Sequence, residues 1–149
     1  MTLILFVCTG NVCRSPMAAG LLQQKVEART HTRVRSAGLW ASDGQPASEN
    51  ALAVMAERGI DVSHHRAHNL TTDDVAEADL ILAMTHEHAR LIRHTWSQYA
   101  WKVYLLSEMV GKRRNVEDPY GGSIEEYRAC ANALSQYIDD GLPRILELA

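Results

Sequence analysis

The strongest constraint on the fold is an apolar segment at the start of the chain that leads directly into a helix signal. The run "TLILFVC" (residues 2–8) has no polar alternation, which is typical of a strand buried on both faces of a sheet. The segment "SPMAAGLLQQKVEA" follows a short loop, with Ser15 expected at the N-cap and Pro16 at the first helical position. We therefore predict a strand, a tight loop and a helix.

The same alternation continues along the chain. Gly59 is expected to close a second helix, and Gly141 and Pro143 to end or kink the last one. The further predicted strands are "TRVRSAG", "ADLILAMT" and "WKVYLL", and the further predicted helices are "PASENALAVMAERG", "HEHARLIRHTW" and "SIEEYRACANALSQYIDD". Strands that alternate with helices predict a single α/β domain over residues 1–149, with a four-stranded parallel sheet and helices on both faces.

Charge and cysteine content exclude several classes of protein. The net charge of -3 gives no electrostatic reason to expect a nucleic acid or an anionic membrane as partner. No apolar run approaches the length that spans a membrane, and the start of the chain lacks the basic residues of a signal peptide. Three cysteines, two of them close together, do not form a secreted disulfide framework. We expect a cytoplasmic protein.

The loop after the first strand has the features of an anion cradle. Ligands of open parallel sheets bind beyond the carboxyl ends of the strands, where loop N–H groups and a helix N-terminus attract negative charge. Arg14 opposes the helix dipole unless an anion lies between them, and its guanidinium can bind two phosphate oxygens. The expected phosphate-binding residues are Thr9, Gly10, Asn11, Val12, Cys13, Arg14 and Ser15.

Cys8 lies in the same electrostatic field. Loop amides, the helix terminus and Arg14 all favour the thiolate, which is the reactive form, and Ser15 can donate a hydrogen bond to it. A thiolate beneath a bound phosphate is placed for in-line attack at phosphorus. An isolated cysteine in this position would instead be a buried residue that ends a core strand. The coincidence with the loop, the arginine and the Ser-Pro pair favours a nucleophile.

These residues resemble a known family. The segment "VCTGNVCRSP" is similar to the phosphate-binding loop of the low-molecular-weight protein tyrosine phosphatases, whose motif is Cys, five residues, Arg, then Ser or Thr. The segments "RSAG", "DVSHHRAHNLT", "ADLILAMT" and "DPYGGSIEEY" have counterparts in the same order. The resemblance implies hydrolysis of phosphorylated proteins through a phosphocysteine, with inorganic phosphate as product. No metal or cofactor is expected.

The resemblance also assigns a general acid. The family carries it in an Asp-Pro tripeptide, which matches Asp118, Pro119 and Tyr120. A leaving oxygen departs more easily when it is protonated as its bond breaks. Glu117 is the neighbouring alternative, and a surface Asp-Pro turn is the common structural explanation of the dipeptide.

Further positions are assigned by the resemblance alone. Asn11 matches an asparagine that holds strained backbone in the loop, a role that suits its tolerance of left-handed conformations. Ser36 and His65 match residues that brace it, with His64 as a one-residue alternative.

Two aromatic residues are candidates for the walls of the substrate pocket. The resemblance places Tyr120 and Trp40 there, together with Val12. Trp40 is equally well explained as a core or edge aromatic. Gly121 stands where the family often has a second tyrosine.

The remaining cysteine and histidines have structural explanations. Six histidines lack the cysteine or acidic partners of a recognisable metal site, so we expect solvated helix and loop residues at His64, His65, His68, His86, His88 and His94. Asp73 and Asp74 follow Thr71 and Thr72 as in a capped helix start. Cys130 shares an apolar helix face and is expected to be a core thiol.

Val12 is the residue that bears most on the substrate. Phosphoarginine members of the family typically carry threonine there, and phosphotyrosine members an aliphatic side chain. Val12 therefore favours phosphotyrosine, with phosphoarginine as the alternative. Arsenate reduction is disfavoured because no cysteine lies between Cys13 and Cys130. A phosphate-binding module without catalysis would usually lack Cys8 or Asp118.

Cys13 has two explanations that the sequence does not separate. Many family members keep a cysteine at this place, which implies a partner that forms a disulfide with an oxidised Cys8. Alternatively, Cys13 is a small residue packed beneath the loop.

Overall fold

The apolar segment at the start of the chain forms a central strand, as its composition predicts. The structure is a computed structural model that describes residues 1–27 and 31–149, so the predicted end of the first helix at Ala28 lies outside the described residues. The elements in chain order are β1 (Thr2–Cys8), α1 (Arg14–Val26), β2 (Thr32–Gly38), α2 (Glu49–Glu57), α3 (Thr72–Glu77), β3 (Leu80–Ala83), α4 (His86–Thr95), β4 (Val103–Leu105) and α5 (Ile124–Leu148). Two 3-10 helices, Ser97–Lys102 and Leu106–Val110, flank β4.

The four strands form one parallel sheet in the order β2-β1-β3-β4. β1 therefore has a partner on each side, and its residues from Leu3 to Cys8 are all buried. The chain leaves β1 toward β2 on one side and later returns to β3 on the other. Such a change of direction opens a crevice at the carboxyl end of the central strand, where ligands bind in sheets of this kind. Cys8 is the last residue of that strand.

Helices cover both faces of the sheet, as predicted. Ile4, Phe6 and Cys8 point to one face and pack in a single apolar cluster with residues of α1, α2 and α5. The alternating residues of β1 point to the other face and pack with residues of α3 and α4. This two-sided burial explains why the sequence of β1 is apolar throughout. No helix among those described is long and apolar enough to cross a membrane.

The start of α1 differs from the prediction. The helix begins at Arg14 with Cys13 at the N-cap, and no side chain caps it. Ser15 is therefore inside the helix, and Pro16 is its third residue. The Ser15 hydroxyl contacts the preceding loop instead of the helix backbone. By contrast, α3 has the capped start that the sequence predicts, with Thr71 at the N-cap in a reciprocal pair with Asp74.

The end of α5 also differs from the prediction. The helix continues through Gly141 and Pro143 as far as Leu148. Gly141 packs against Met109, and a Cβ atom at this position would lie 2.7 Å from the Met109 Cβ atom. Ile145, one turn further on, is fully buried. Packing on both sides of the proline outweighs the hydrogen bond that Pro143 cannot make.

Candidate active site

The loop between β1 and α1 curves around a cavity of about 240 Å³. The cavity lies at the carboxyl end of the sheet, beside the N-terminus of α1. Its lining consists of Cys8, Thr9, Gly10, Asn11, Val12, Cys13, Arg14, Gln45, Asp118 and Tyr120. The structure thus brings the two parts of the predicted site together, although they are more than 100 residues apart in sequence. Ser15 lies beneath the loop and does not line the cavity.

Cys8 is held by a hydrogen bond to Ser15. Its Sγ atom lies 2.9 Å from the Ser15 Oγ atom. The Asn11 side-chain amide donates to the same oxygen at 2.8 Å, which occupies one lone pair of Ser15. The Ser15 hydroxyl hydrogen is then free to point at sulfur. A donor aimed at sulfur stabilises negative charge on it.

Asn11 organises the loop from a left-handed backbone conformation with φ of 58°. Its Nδ2 atom donates to Ser15 and, at 2.9 Å, to the Ser36 hydroxyl. Its Oδ1 atom accepts the backbone N–H of His68 at 2.9 Å. Its carbonyl oxygen lies 2.6 Å from His65 Nε2. Four contacts thus stabilise a conformation that is unfavourable for most residues.

The structure distinguishes between the two adjacent histidines. His65 contacts Asn11, whereas His64 is exposed. Burial lowers the pKa of His65 below its ordinary value, against the hydrogen bond to Asn11, which raises it. A neutral His65 that carries its proton on Nε2 can donate to the Asn11 carbonyl. The backbone N–H of His68 could not be recognised as a further support from sequence, because every residue except proline carries one.

Arg14 is buried, with 4 % exposure, and points into the cavity. Its Nη1 atom donates to the Val116 carbonyl oxygen at 2.9 Å. Its Nη2 atom lies 3.5 Å from Asp118 Oδ2 and 3.4 Å from Thr9 Oγ1. Its Nε atom is buried and has no hydrogen-bond partner among residues 1–27 and 31–149. The guanidinium edge formed by Nε and Nη2 can therefore bind two oxygens of an anion.

Asp118 lines the same cavity and lies beside Arg14. Its carboxylate is about half exposed, and its Oδ1 atom accepts the backbone N–H of Tyr120 at 3.1 Å. Glu117, the neighbouring alternative, does not line this cavity; it lines a second cavity beside Cys130, which Asp118 also borders. The geometry therefore favours Asp118 as the carboxyl group that faces the thiol.

The aromatic candidates differ in position. Tyr120 lines the cavity with its ring largely exposed. Trp40 is 63 % exposed, which rules out a core position, and it is not among the residues that line this cavity, so its place in the pocket wall stays a prediction. Its backbone N–H donates a hydrogen bond of 2.9 Å to the Thr9 carbonyl oxygen and so supports the loop. Gln45 lines the cavity but was missed, because it lies in a loop without a recognisable motif.

Cys13 is a buried residue at the end of the loop and contacts the side chains of Tyr127 and Ser48. Its Sγ atom lies 3.2 Å from the Tyr127 Oη atom and 3.5 Å from the Ser48 Oγ atom. Burial raises the pKa of the Cys13 thiol, although these hydrogen bonds lower it. Burial also raises the pKa of Cys130 to about 12, consistent with the predicted core thiol. All three cysteines are free.

His88, like the half-buried His65, differs from the expectation of solvated side chains. His88 is buried, and its Nε2 atom lies 2.8 Å from the Thr9 Oγ1 atom. Within α4 it lies four residues before the buried Ile92, on the same helix face. That spacing was a usable signal in the sequence. No cluster of three or more potential metal ligands occurs in the part of the chain that the structure describes.

A buried thiol, an arginine with an open edge and a carboxyl group around a loop of backbone amides define a cysteine-dependent phosphatase. The family model described as "Low molecular weight phosphotyrosine protein phosphatase" matches residues 3–145. The chain therefore belongs to this family, and it is a protein phosphatase.

Similar proteins have two kinds of named substrate. A protein-arginine-phosphatase of Bacillus subtilis is 40% identical over 137 residues, which are 91% of each chain. A probable low molecular weight protein-tyrosine-phosphatase, EpsP, of Ralstonia nicotianae is 39% identical over 145 residues, which are 97% of each chain. A YwlE arginine phosphatase variant with a phosphorylated active-site serine has a TM-score of 0.91 at 37% identity, with 98% of this chain and 96% of that chain covered.

Proposed function

We propose that this phosphatase removes a phosphoryl group from a protein side chain in two steps, with Cys8 as the nucleophile. The observation that carries the proposal is the shared cavity, in which Cys8, the open edge of Arg14 and the Asp118 carboxylate face one space. Because Cys8 and Asp118 are far apart in the sequence, only the folding of the chain brings them to the same cavity. We propose that the chain forms a single phosphatase domain, residues 1–149, around this site.

In the first step the loop amides and Arg14 bind the phosphate dianion. The Cys8 thiolate attacks phosphorus, so that an S–P bond forms while the bond to the leaving atom breaks. Asp118 in its protonated form donates a proton to that leaving atom. Arg14 Nε and Nη2 bind the equatorial oxygens, where negative charge is redistributed in the transition state.

In the second step water replaces the protein side chain. Asp118, now ionised, accepts a proton from the water as its oxygen attacks phosphorus, and the S–P bond breaks. The products are inorganic phosphate and the regenerated Cys8 thiolate. The proposal needs no metal or cofactor, because Arg14 and the loop amides supply the positive charge. The structure of a relative with phosphate on its active-site serine supports an enzyme-bound phosphoryl group.

We propose phosphotyrosine as the preferred substrate, because Val12 presents an apolar side chain to the cavity. An aliphatic side chain can pack on an aromatic ring. It cannot accept a hydrogen bond from a guanidinium, which would then leave buried N–H donors unpaired. The exposed ring of Tyr120 lies at the same cavity and can stack on a second aromatic ring.

Phosphoarginine is the second candidate, because a protein-arginine-phosphatase is among the similar proteins. The cavity offers two side chains that could accept guanidinium hydrogen bonds, Asp118 and Gln45. The two candidates are separated by kcat/KM for matched peptides that carry phosphotyrosine or phosphoarginine. A preference for phosphoarginine would overturn the substrate proposal and leave the mechanism unchanged.

The catalytic proposal is tested by Cys8→Ser, with Cys130→Ser as the control that replaces a thiol outside the cavity. Cys8→Ser should lose turnover of an aryl phosphate and keep binding of inorganic phosphate, whereas Cys130→Ser should stay active. Wild-type protein that binds phosphate without turnover would instead be a binding module. Loss of wild-type activity with a chelator would contradict the metal-free mechanism.

We also propose a cytoplasmic location, supported by the three free cysteines.

A further inference from the structure

His88 is a buried polar side chain next to the phosphate-binding loop that the mechanism above does not use. It lies in the first turn of α4 with 4 % exposure. Its Nε2 atom contacts Thr9 Oγ1 at 2.8 Å, and its Nδ1 atom is buried without a hydrogen-bond partner within the described part of the chain. A buried ring with an unpaired nitrogen costs free energy that an apolar side chain on this helix face would avoid.

The surroundings of His88 keep the ring uncharged. Burial and, to a lesser extent, the Arg14 guanidinium lower its pKa to about 4, and the Asp118 carboxylate acts in the opposite direction. These are the charged groups that face the ring, Arg14 from α1 and Asp118 from the segment before α5. A neutral imidazole carries one N–H group, on either Nε2 or Nδ1.

The position of that proton follows from the partners of Thr9. The Thr9 Oγ1 atom also lies 3.4 Å from Arg14 Nη2, which can only donate. If His88 carried its proton on Nδ1, a buried N–H donor would have no acceptor, and such orphaned donors are rare. With the proton on Nε2, His88 and Arg14 both donate to Thr9 Oγ1. The hydroxyl hydrogen of Thr9 is then not used by either neighbour.

We propose that His88 is a positioning residue that acts through Thr9, a role that rests on the proposed phosphatase function of the same cavity. The Nε2–H group of His88 and the Nη2–H group of Arg14 fill the two lone pairs of the Thr9 hydroxyl. The hydroxyl hydrogen consequently turns toward the cavity, which Thr9 lines, and can be donated to a phosphate oxygen. The same contact holds Thr9 beside Arg14 and so restrains the guanidinium in its binding orientation.

The first experiment compares His88→Leu with His88→Gln. The measured quantities are kcat for p-nitrophenyl phosphate and the inhibition constant of inorganic phosphate. His88→Leu should raise that constant about five- to tenfold, the effect of losing one hydrogen bond near a charged group. For His88→Gln the inhibition constant should stay within about twofold of the wild-type value, because the glutamine side chain is of similar length and its amide can donate to Thr9. The control Glu87→Gln, exposed in the same turn, should change neither quantity.

A second pair of variants separates a positioning role from a general loss of stability. In a Thr9→Val background, which removes the hydroxyl, His88→Leu should weaken phosphate binding no further. Independent, multiplying losses would show that His88 does not act through Thr9 and would overturn the proposal. Equal inhibition constants for His88→Leu and wild type would overturn it as well.

The proton position is measured directly on wild-type protein. Nitrogen NMR of the His88 ring should show hydrogen on Nε2 and none on Nδ1 from about pH 5.5 to about pH 8, the range in which an ordinary histidine titrates. A protonated Nδ1 would refute the proposal even if His88→Leu fails to fold. Wild-type protein that does not bind inorganic phosphate would refute the proposed function itself. Binding that is intact in wild type and unchanged in the His88 variants would refute the role of His88 alone.

Discussion

Replacement of Asn11 by alanine should be one of the most damaging single changes to this site. The side chain makes three hydrogen bonds, two as donor to Ser15 and Ser36 and one as acceptor from the His68 N–H group. At about 1 kcal/mol each, their loss costs about 3 kcal/mol of the free energy of unfolding. Alanine at φ of 58° adds about 1 kcal/mol of backbone strain. We expect a total loss of about 4 kcal/mol.

The variant Asn11→Gly separates the two contributions. Glycine adopts the left-handed conformation without strain but also lacks the hydrogen bonds. Its loss should therefore be smaller than that of Asn11→Ala by about 1 kcal/mol. Urea unfolding measures both values, and turnover of an aryl phosphate by the folded fraction should fall in both variants, because Ser15 is no longer oriented toward Cys8. Losses below about 1 kcal/mol in both variants, or unchanged turnover, would refute the reasoning.

Three further outcomes are expected. Asp118→Asn should lower kcat by a factor on the order of 10² for substrates whose leaving group needs a proton. The loss should be smaller for substrates whose leaving group needs none. Equal losses in a series of aryl phosphates would contradict the acid role. Val12→Thr should raise kcat/KM for phosphoarginine relative to kcat/KM for phosphotyrosine by about tenfold, the effect of one added hydrogen bond. An unchanged ratio in matched peptides would exclude control of the substrate by this side chain. Peroxide should inactivate wild type reversibly through a disulfide between Cys8 and Cys13, which mass spectrometry would detect. It should inactivate Cys13→Ser irreversibly. If Cys13→Ser recovers fully with reductant, the thiol of Cys13 is only a packing group.

The order of the elements could be predicted because apolar runs and helix signals alternate regularly in the sequence. The segment from Thr2 to Cys8 was assigned as a strand with the observed bounds, since burial on both faces leaves no polar residue in it. The position of the anion cradle then followed from topology, because the carboxyl end of a central parallel strand is where such folds bind ligands.

Local rules failed where tertiary contacts override them. A serine before a proline is a good N-cap, yet the Ser15 hydroxyl bonds to Cys8 and Asn11, and α1 begins two residues earlier than predicted. Pro143 usually ends a helix, yet the packing of Gly141 on Met109 carries α5 past it. In both cases the deciding contact joins segments that are not adjacent, and a local pattern does not contain it.

The site was predictable as a set of residue types but not as a set of contacts. Cys8 and Arg14 could be paired through their spacing, and Asp118 was added through a family resemblance. The bond from Arg14 to the Val116 carbonyl and the position of Gln45 depend on loop paths that have no periodicity. His88 is intermediate, because its spacing from the buried Ile92 indicated its helix face but not its contact with Thr9.

The unusual features of the loop share one physical explanation. α1 begins without a side-chain cap, Arg14 lies at the positive end of that helix, and its Nε atom has no partner in the described chain. Each feature is unfavourable in isolation. A dianion in the cavity would meet all three, because it accepts hydrogen bonds from the first-turn amides, balances the guanidinium and pairs with Nε. The fold thus holds unmet donors in an arrangement that a phosphate group completes, and Cys8 lines the same cavity. Because a dianion satisfies donors that would otherwise lack partners, the loop is selective for the group that Cys8 is proposed to attack.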